Sequence, residues 1–353
     1  MARLVLVAPG RGSYNRTELG YFKRFRDHAA FARRGELLAE ADALRAAAGR
    51  PSLAELDTAA NFSSARHLPG ENASGLIFTA SAADHALLNT DEHQICAVLG
   101  NSMGWYTALY LAGALSFGDA FRVVDTMASY QKGNIRGGQI IYPLVDDAWR
   151  IQPEREQEVA AALAAVNAEG EDYWVGLSIR LGGFLVLAGT DLGLKKLTAK
   201  LPAVKLGSND YPFALARHSA FHTPLMDEAS ARGMEDNAGI KWRQPKVPLI
   251  DGRGHQWLPG ICDAGDIHRY TFGHQVVAPF DFTAAVRVAL REYNPDYLVL
   301  LGPGETLGGS MAHTMIAEGW RGIHARTDFT TRQKSEQPLL VAMNRPDQAR
   351  LVI

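Results

Sequence analysis

Five residues, Gly100-Asn101-Ser102-Met103-Gly104, carry the clearest chemical signal in the chain. They follow an apolar run, Ile95 to Leu99, and open a helix-like segment, Trp105 to Ala112. Strand, G-x-S-x-G, helix is the order that a nucleophile elbow requires. The glycines let the backbone turn sharply without side-chain clashes. The serine hydroxyl is then presented at a helix N-terminus, where main-chain N–H groups and the helix dipole favour negative charge. An alkoxide attacking an acyl carbonyl is the chemistry that fits. The pentapeptide alone says little in a chain with 34 glycines; the flanking strand and helix give it weight.

The elements that must hold this turn can be read on either side of it. Leu4 to Val7 reads as a buried strand ended by Pro9-Gly10-Arg11-Gly12-Ser13. Thr17 to Ala48 is helical in pattern, Gly75 to Thr79 a short buried stretch, and Ala80 to Leu88 helical. Ser116-Phe117-Gly118-Asp119 is a capping box that starts a helix running from Ala120 to about Gln131. The character changes near Gly137. Gly137 to Val145 is strand-like, Glu154 to Ala168 a polar helix, Tyr173 to Leu181 and Gly183 to Gly189 a hairpin, and Asp191 to Leu201 a helix. Strand, helix, strand, strand, helix is the grammar of a ferredoxin-like unit. After Leu206 the earlier style returns, with buried strands at Val247 to Ile250 and Tyr297 to Leu301. The expected architecture is α/β: a hydrolase-like parallel-sheet domain (1–136 and 206–353) interrupted by a small ferredoxin-like α+β insert (137–205).

Bulk composition removes several classes. The 353 residues are 47% hydrophobic and 21% charged, as in ordinary globular proteins, and the length suggests two domains or one with an insertion. A formal net charge of -2 leaves no basic excess to neutralise phosphates, so no nucleic acid is expected as partner. Two cysteines, Cys96 in an apolar run and Cys262, make neither a disulfide framework nor a thiolate metal site. The N-terminal apolar stretch is too short for a signal peptide, and no apolar run spans a membrane, so a cytoplasmic enzyme is the expectation. His218 and His222 have the i, i+4 spacing of a metal pair on a helix. Pro224 argues against a regular helix there, and no metal is expected. Gly302-Pro303-Gly304 mimics a dinucleotide fingerprint, but its spacing is wrong and a structural turn explains it better.

Four blocks together resemble malonyl-CoA:acyl carrier protein transacylases and the acyltransferase domains of fatty acid and polyketide synthases. They are Val7 to Ser13, Gly100 to Gly104 running into Ala112 to Ala120, Ser219 to Met226, and Leu301 to Gly304. Their order and spacing cover nearly the whole chain. The resemblance implies that Ser102 is the nucleophile and His222 its general base, since a serine hydroxyl needs a positioned base to take its proton. It implies an oxyanion hole from the backbone N–H of Met103 and of Arg11. It implies transfer of an acyl group from a CoA or carrier thioester to the phosphopantetheine thiol of an acyl carrier protein. Acyl-CoA is then a substrate, and no metal or redox cofactor is implied.

Several residues depart from the family pattern. Malonyl enzymes place an arginine in the helix after the elbow; Met127 stands there and would suit a neutral acyl chain. Arg11 replaces a usual glutamine, and Asn101 a usual histidine. Arg180 falls where the family has a residue facing the cleft; it is read either as a substitute cation or as an exposed strand arginine. Asp281 replaces a glutamine whose carbonyl orients the histidine, and is read either as that orienting group or as a helix N-cap. Phe221, before the histidine, would narrow the room for α-branched acyl groups. Lys195, Lys196, Lys200 and Lys205 are read either as a face for an acidic carrier protein or as a solvated helix face. An acyl-thioester hydrolase and an inactive carrier-docking subunit stand as the alternative functions.

Overall fold

The computed structural model describes residues 1–130 and 136–353. Among them are thirteen strands: β1 (Ala2–Ala8), β2 (His93–Gly100), β3 (Gly138–Pro143), β4 (Val175–Leu181), β5 (Phe184–Gly189), β6 (Val204–Leu206), β7 (Asn209–Tyr211), β8 (Phe213–Ala214), β9 (Leu249–Ile250), β10 (Gln256–Trp257), β11 (Phe280–Asp281), β12 (Tyr297–Leu300) and β13 (Leu340–Ala342).

The larger sheet runs β10-β9-β2-β1-β12-β13 and is parallel except for β10 at its edge. Leu4 to Ala8 of β1 are fully buried. A central parallel strand is covered on both faces, so it reads as an unbroken apolar run instead of an alternating one. Helices Phe31–Ala47, Gly70–His85, Gly104–Leu111, Phe117–Ser129 and Phe282–Tyr293 pack around this sheet. Ser116 starts Phe117–Ser129 as expected: its Oγ accepts from Asp119 N and donates to Asp119 Oδ2 at 2.8 Å. The expected end of that helix, Gln131, lies outside the described residues.

Two helical readings change. Gly70–His85 is one helix, not a short stretch followed by a helix, and only Glu71 and His85 in it escape burial. An apolar run buried on every side has no periodicity by which to separate strand from helix. In Thr17 to Ala48, only Phe31–Ala47 is α-helical; Gly20, at φ 79°, breaks the earlier part into two short 3-10 turns.

The second sheet runs β11-β4-β5-β3-β8. β3 is antiparallel to β5 and β8, β4 is antiparallel to β5, and β11 joins parallel to β4. The sheet therefore extends beyond residues 137–205, taking β8 and β11 from the chain that follows. Helices Pro153–Asn167 and Asp191–Lys200 cover one face over a separate core that includes Tyr142, Val159, Leu187 and Leu197. The opposite face looks into a cleft against the larger sheet. Between Leu177 and Ile179 the β4–β5 register slips at Ser178. Before this bulge Val175 and Leu177 pack into the small core; after it Ile179 and Leu181 line the cleft. One extra residue has turned the end of β4 over.

Asp84, fully buried at the end of Gly70–His85, ties the N-terminal helices to the larger sheet. It accepts from Arg34 at 2.7 Å, from the Tyr21 hydroxyl at 2.6 Å and from Gly302 N at 2.9 Å. Removing one member of a buried ion pair leaves the other charge unpaired, at a cost of about 3–5 kcal/mol. Asp84→Ala is expected to lose that much in urea unfolding. Arg34→Met combined with Asp84→Leu is expected to recover only part of it: no charge is then left buried, but Gly302 N still loses its acceptor.

Candidate active site

The elbow is built by close approach of main chains. A Cβ on Gly104 would lie 2.3 Å from the Ala8 carbonyl oxygen, and one on Gly100 would lie 2.1 Å from the Gly104 oxygen. Only glycine at both positions lets the turn press against the end of β1, where Asn101 N donates to Ala8 O at 3.1 Å. Ser102 sits at φ 53°, in the left-handed region, directly before helix Gly104–Leu111. Met103 is the residue between them and lines the cleft beside Ser102.

Ser102 Oγ is 2.7 Å from His222 Nε2. His222 is also left-handed, at φ 63°, and is 1% exposed. Burial pulls its pKa down from 6.5 to about 4, opposed by the hydrogen bond to the Gln275 carbonyl. At neutral pH the ring is therefore uncharged. Its Nδ1–H donates to the Gln275 carbonyl at 2.6 Å, so Nε2 is left as the acceptor for the serine hydroxyl.

Gln275 is the orienting residue, which corrects Asp281 as the orienting group and leaves its other reading, the helix N-cap. The Asp281 carboxylate instead accepts from Ala284 N at 2.7 Å and caps helix Phe282–Tyr293. Gln275 does a second job through its side chain. Its Nε2 donates to the Ser102 carbonyl at 3.2 Å, while its Oε1 accepts from the Tyr106 hydroxyl at 3.1 Å. The residue went unnoticed because a main-chain carbonyl leaves no mark on side-chain type. The available signal was a glutamine close before β11, six positions upstream of Asp281.

Arg180 is likewise corrected as a cation for the cleft. The bulge at Ser178 turns it to the helix-covered face, where it pairs with Glu156 of Pro153–Asn167 at 2.7 Å. Arg11, by contrast, does line the cleft. Its guanidinium donates from Nη2 to the Arg217 carbonyl and from Nε to His218 Nε2 at 3.4 Å. Burial lowers it to about 10, so it stays charged at neutral pH.

A directed chain of hydrogen bonds starts there. Arg11 has only donors, so His218 Nε2 must accept, and burial together with Arg11 holds His218 neutral. His218 Nδ1–H then donates to Gln139 Oε1 at 2.9 Å. Gln139 Nε2 donates to Ser178 Oγ at 2.8 Å, and the Ser178 hydroxyl donates to the Phe221 carbonyl at 2.9 Å. The chain thus runs from the loop after β1, through β3 and β4, to the peptide preceding His222. Both histidines are committed to these partners, not to one another.

The remaining candidates fall into two groups. Met127, 2% exposed, Phe221 and Asn101 all line the cleft, which has a volume of about 400 Å³. Lys196 is spent on Glu169 and on the Tyr173 ring, 4.8 Å away, while Lys195, Lys200 and Lys205 are exposed.

No protein-family model matches the chain. Its fold is that of malonyl-CoA:acyl carrier protein transacylases and polyketide synthase acyltransferase domains. The acyl-carrier-protein S-malonyltransferase of Burkholderia pseudomallei gives a TM-score of 0.74 at 22% identity, covering 99% of this chain and 98% of its own. A malonyl-transacylase solved with its type II polyketide synthase acyl-carrier protein gives 0.75 at 18% identity, covering 99% and 98%. By sequence, the Escherichia coli malonyl CoA-acyl carrier protein transacylase is 23% identical over 239 residues, 66% of this chain and 71% of its own. The non-reducing polyketide synthase men2 of Menisporopsis theobromae is 24% identical over 245 residues, 67% of this chain. The chain spans only 10% of that synthase. These likenesses agree with the resemblance read from the four motif blocks.

Two outcomes follow from the geometry. The rate at which a serine-directed fluorophosphonate labels Ser102, followed by intact-protein mass, should stay level as pH falls through 6.5 and halve only near 4, since protonating His222 removes the acceptor. A break near 6.5 would mean that the ring titrates as an exposed one. Gln275→Leu should slow that labelling about tenfold to a hundredfold, since it removes two hydrogen bonds, one to the Ser102 carbonyl and one from the Tyr106 hydroxyl. The midpoint of the pH profile should not move, because the carbonyl that orients His222 is retained.

Proposed function

We propose that this protein belongs to the transacylase family and moves an acyl group from a CoA or carrier thioester, through Ser102, to the phosphopantetheine thiol of an acyl carrier protein. The observation that carries this is the 2.7 Å contact between an elbow serine and a buried, neutral histidine at the floor of the cleft. Ser102 Oγ attacks the thioester carbonyl carbon as its proton passes to His222 Nε2. The oxygen of the tetrahedral intermediate takes hydrogen bonds from the Met103 and Arg11 main-chain amides. The C–S bond breaks, His222 returns the proton to the departing sulfur, and acyl-Ser102 remains. The carrier thiol then gives its proton to His222 and attacks the ester; the C–O bond breaks and Ser102 recovers its proton. The overall reaction is thioester exchange and needs no oxidant or reductant.

The carrier as partner is supported by the transacylase solved with its acyl-carrier protein, whose whole fold this chain shares. The order β8-β3-β5-β4 with two helices on one face supports reading the second sheet as a ferredoxin-like insert that walls the pantetheine cleft. Intact-protein mass after brief exposure to an acyl-CoA should show one acyl adduct, absent in Ser102→Ala. On adding a phosphopantetheinylated carrier, the adduct should appear on the carrier. An adduct retained in Ser102→Ala overturns the nucleophile; release to water faster than to carrier overturns transfer in favour of hydrolysis.

A further inference from the structure

We infer that His218 is a positioning residue: through Gln139 and Ser178 it holds the peptide that joins Phe221 to His222, and so keeps the His222 ring on Ser102. The inference rests on the proposed transfer through that serine–histidine pair and adds a residue to what supports it.

The segment that carries His222 is strained at two places. Arg217 lies at φ 60° and His222 at φ 63°, in the left-handed region where a side chain is crowded. Such residues persist only where the peptides around them are pinned. Both are pinned here. The Arg217 carbonyl accepts from Arg11 Nη2. The peptide before His222 is held at each end: its N–H donates to Val276 O at 2.8 Å, and its carbonyl, that of Phe221, accepts from Ser178 Oγ at 2.9 Å. Without the Ser178 bond the peptide is free to turn and relieve the strain, and the ring it carries leaves the 2.7 Å contact with Ser102.

His218 decides whether that bond exists. A serine hydroxyl has one proton and can give it to either neighbour. Gln139 offers Ser178 its Nε2, at 2.8 Å, so the hydroxyl accepts there and donates to Phe221. With the Gln139 amide turned over, Oε1 would face Ser178, the hydroxyl would donate to Gln139, and the Phe221 carbonyl would lose its donor. The longer contact of the same Nε2 with the Phe221 oxygen, 3.4 Å, would become one between two acceptors. The two ends of an amide are alike in size, so shape does not choose between them. His218 does: its Nδ1–H donates to Gln139 Oε1 at 2.9 Å and would meet N–H groups after the turn. The proton stands on Nδ1 because Nε2 accepts from Arg11. Arg11 sets the tautomer, His218 sets the amide, and Gln139 sets the hydroxyl that pins the strained peptide.

The test is the labelling of Ser102 by a serine-directed fluorophosphonate, followed by intact-protein mass and resolved into the reaction step and reversible binding. The probe carries neither CoA nor a carrier arm, so it reads the serine–histidine pair independently of the thioester. Ser178→Val should slow the reaction step about tenfold relative to Ser178→Thr, which has the same branched shape and keeps the hydroxyl. Reversible binding should be alike in the two. His218→Leu should slow the step by about as much, and His218→Asn, whose amide can donate where Nδ1–H does, should recover most of the loss. The double variant, His218→Leu with Ser178→Val, should be no slower than the slower single one, because both remove the same pin; independent effects would multiply to about a hundredfold. Should either replacement fail to fold, Ser178→Ala against wild type makes the comparison without added volume. Equal rates with and without the hydroxyl, a loss confined to binding, or losses that multiply in the double variant overturn the inference and leave the reading of Ser102 and His222 standing. A wild-type chain that takes no label, or label retained in Ser102→Ala, overturns both.

Discussion

The hydrogen bond from Ser102 to His222 joins residues 120 positions apart, and both sit at positive φ, where side-chain-bearing residues are crowded. Such backbone positions cost on the order of 1–3 kcal/mol each and persist only where the surroundings over-determine them. The surroundings here are identifiable. The serine is held by glycines that bring the elbow against Ala8, and its own carbonyl is held by the Gln275 side chain. The histidine is held through His222 N donating to Val276 O at 2.8 Å and through its ring on the Gln275 carbonyl. Gln275 thus braces both partners, one through its side chain and one through its backbone. One residue ties the two together, in addition to the contacts that hold each of them separately.

What could be read from the sequence was whatever is local. The elbow is a strand, a five-residue turn and a helix, all within about twenty residues, and each part has its own signature in residue type. The hairpin of β4 and β5 and the helices on either side of it are local as well. What escaped the sequence depended on register and on the main chain. Arg180 was placed by a one-residue bulge at Ser178, which no alternation of residue types announces. Gln275 orients His222 with an atom that every residue has. Asp281 sits in β11, a strand of only two residues, and its carboxylate was claimed by the nearest helix N-terminus instead of the distant imidazole. Gly70–His85 was obscured because burial on all sides erases the period that identifies a helix.

The cleft owes its chemical character to the same bulge. With a regular β4, the alternation that puts Leu177 into the small core would put Ile179 and Leu181 there too, and Arg180 would face the cleft. The extra residue reverses this, giving the cleft two more aliphatic side chains and leaving a cation for Glu156 on the outer helix. Ser178 alternates with Leu177 and so lies on the inner face, where its hydroxyl reaches the Phe221 carbonyl. The aliphatic lining beside that hydroxyl therefore arises from one irregularity in one strand.

That support has a direction. Arginine can only donate, so Arg11 dictates which nitrogen of His218 accepts, hence which way the Gln139 amide is turned, hence that Ser178 receives from Gln139 and gives to Phe221. A half-satisfied buried network is worse than an apolar one, whereas a fully matched one rigidifies what it touches. Every link here has its donor and its acceptor. The residues belong to three separated stretches: the loop after β1, the inner face of the second sheet, and the segment that carries the histidine. The second sheet is for that reason more than a cover over the cleft. It carries the middle of the network that fixes the peptide next to the His222 ring, so any displacement of the sheet that opened the cleft would also loosen the hold on His222.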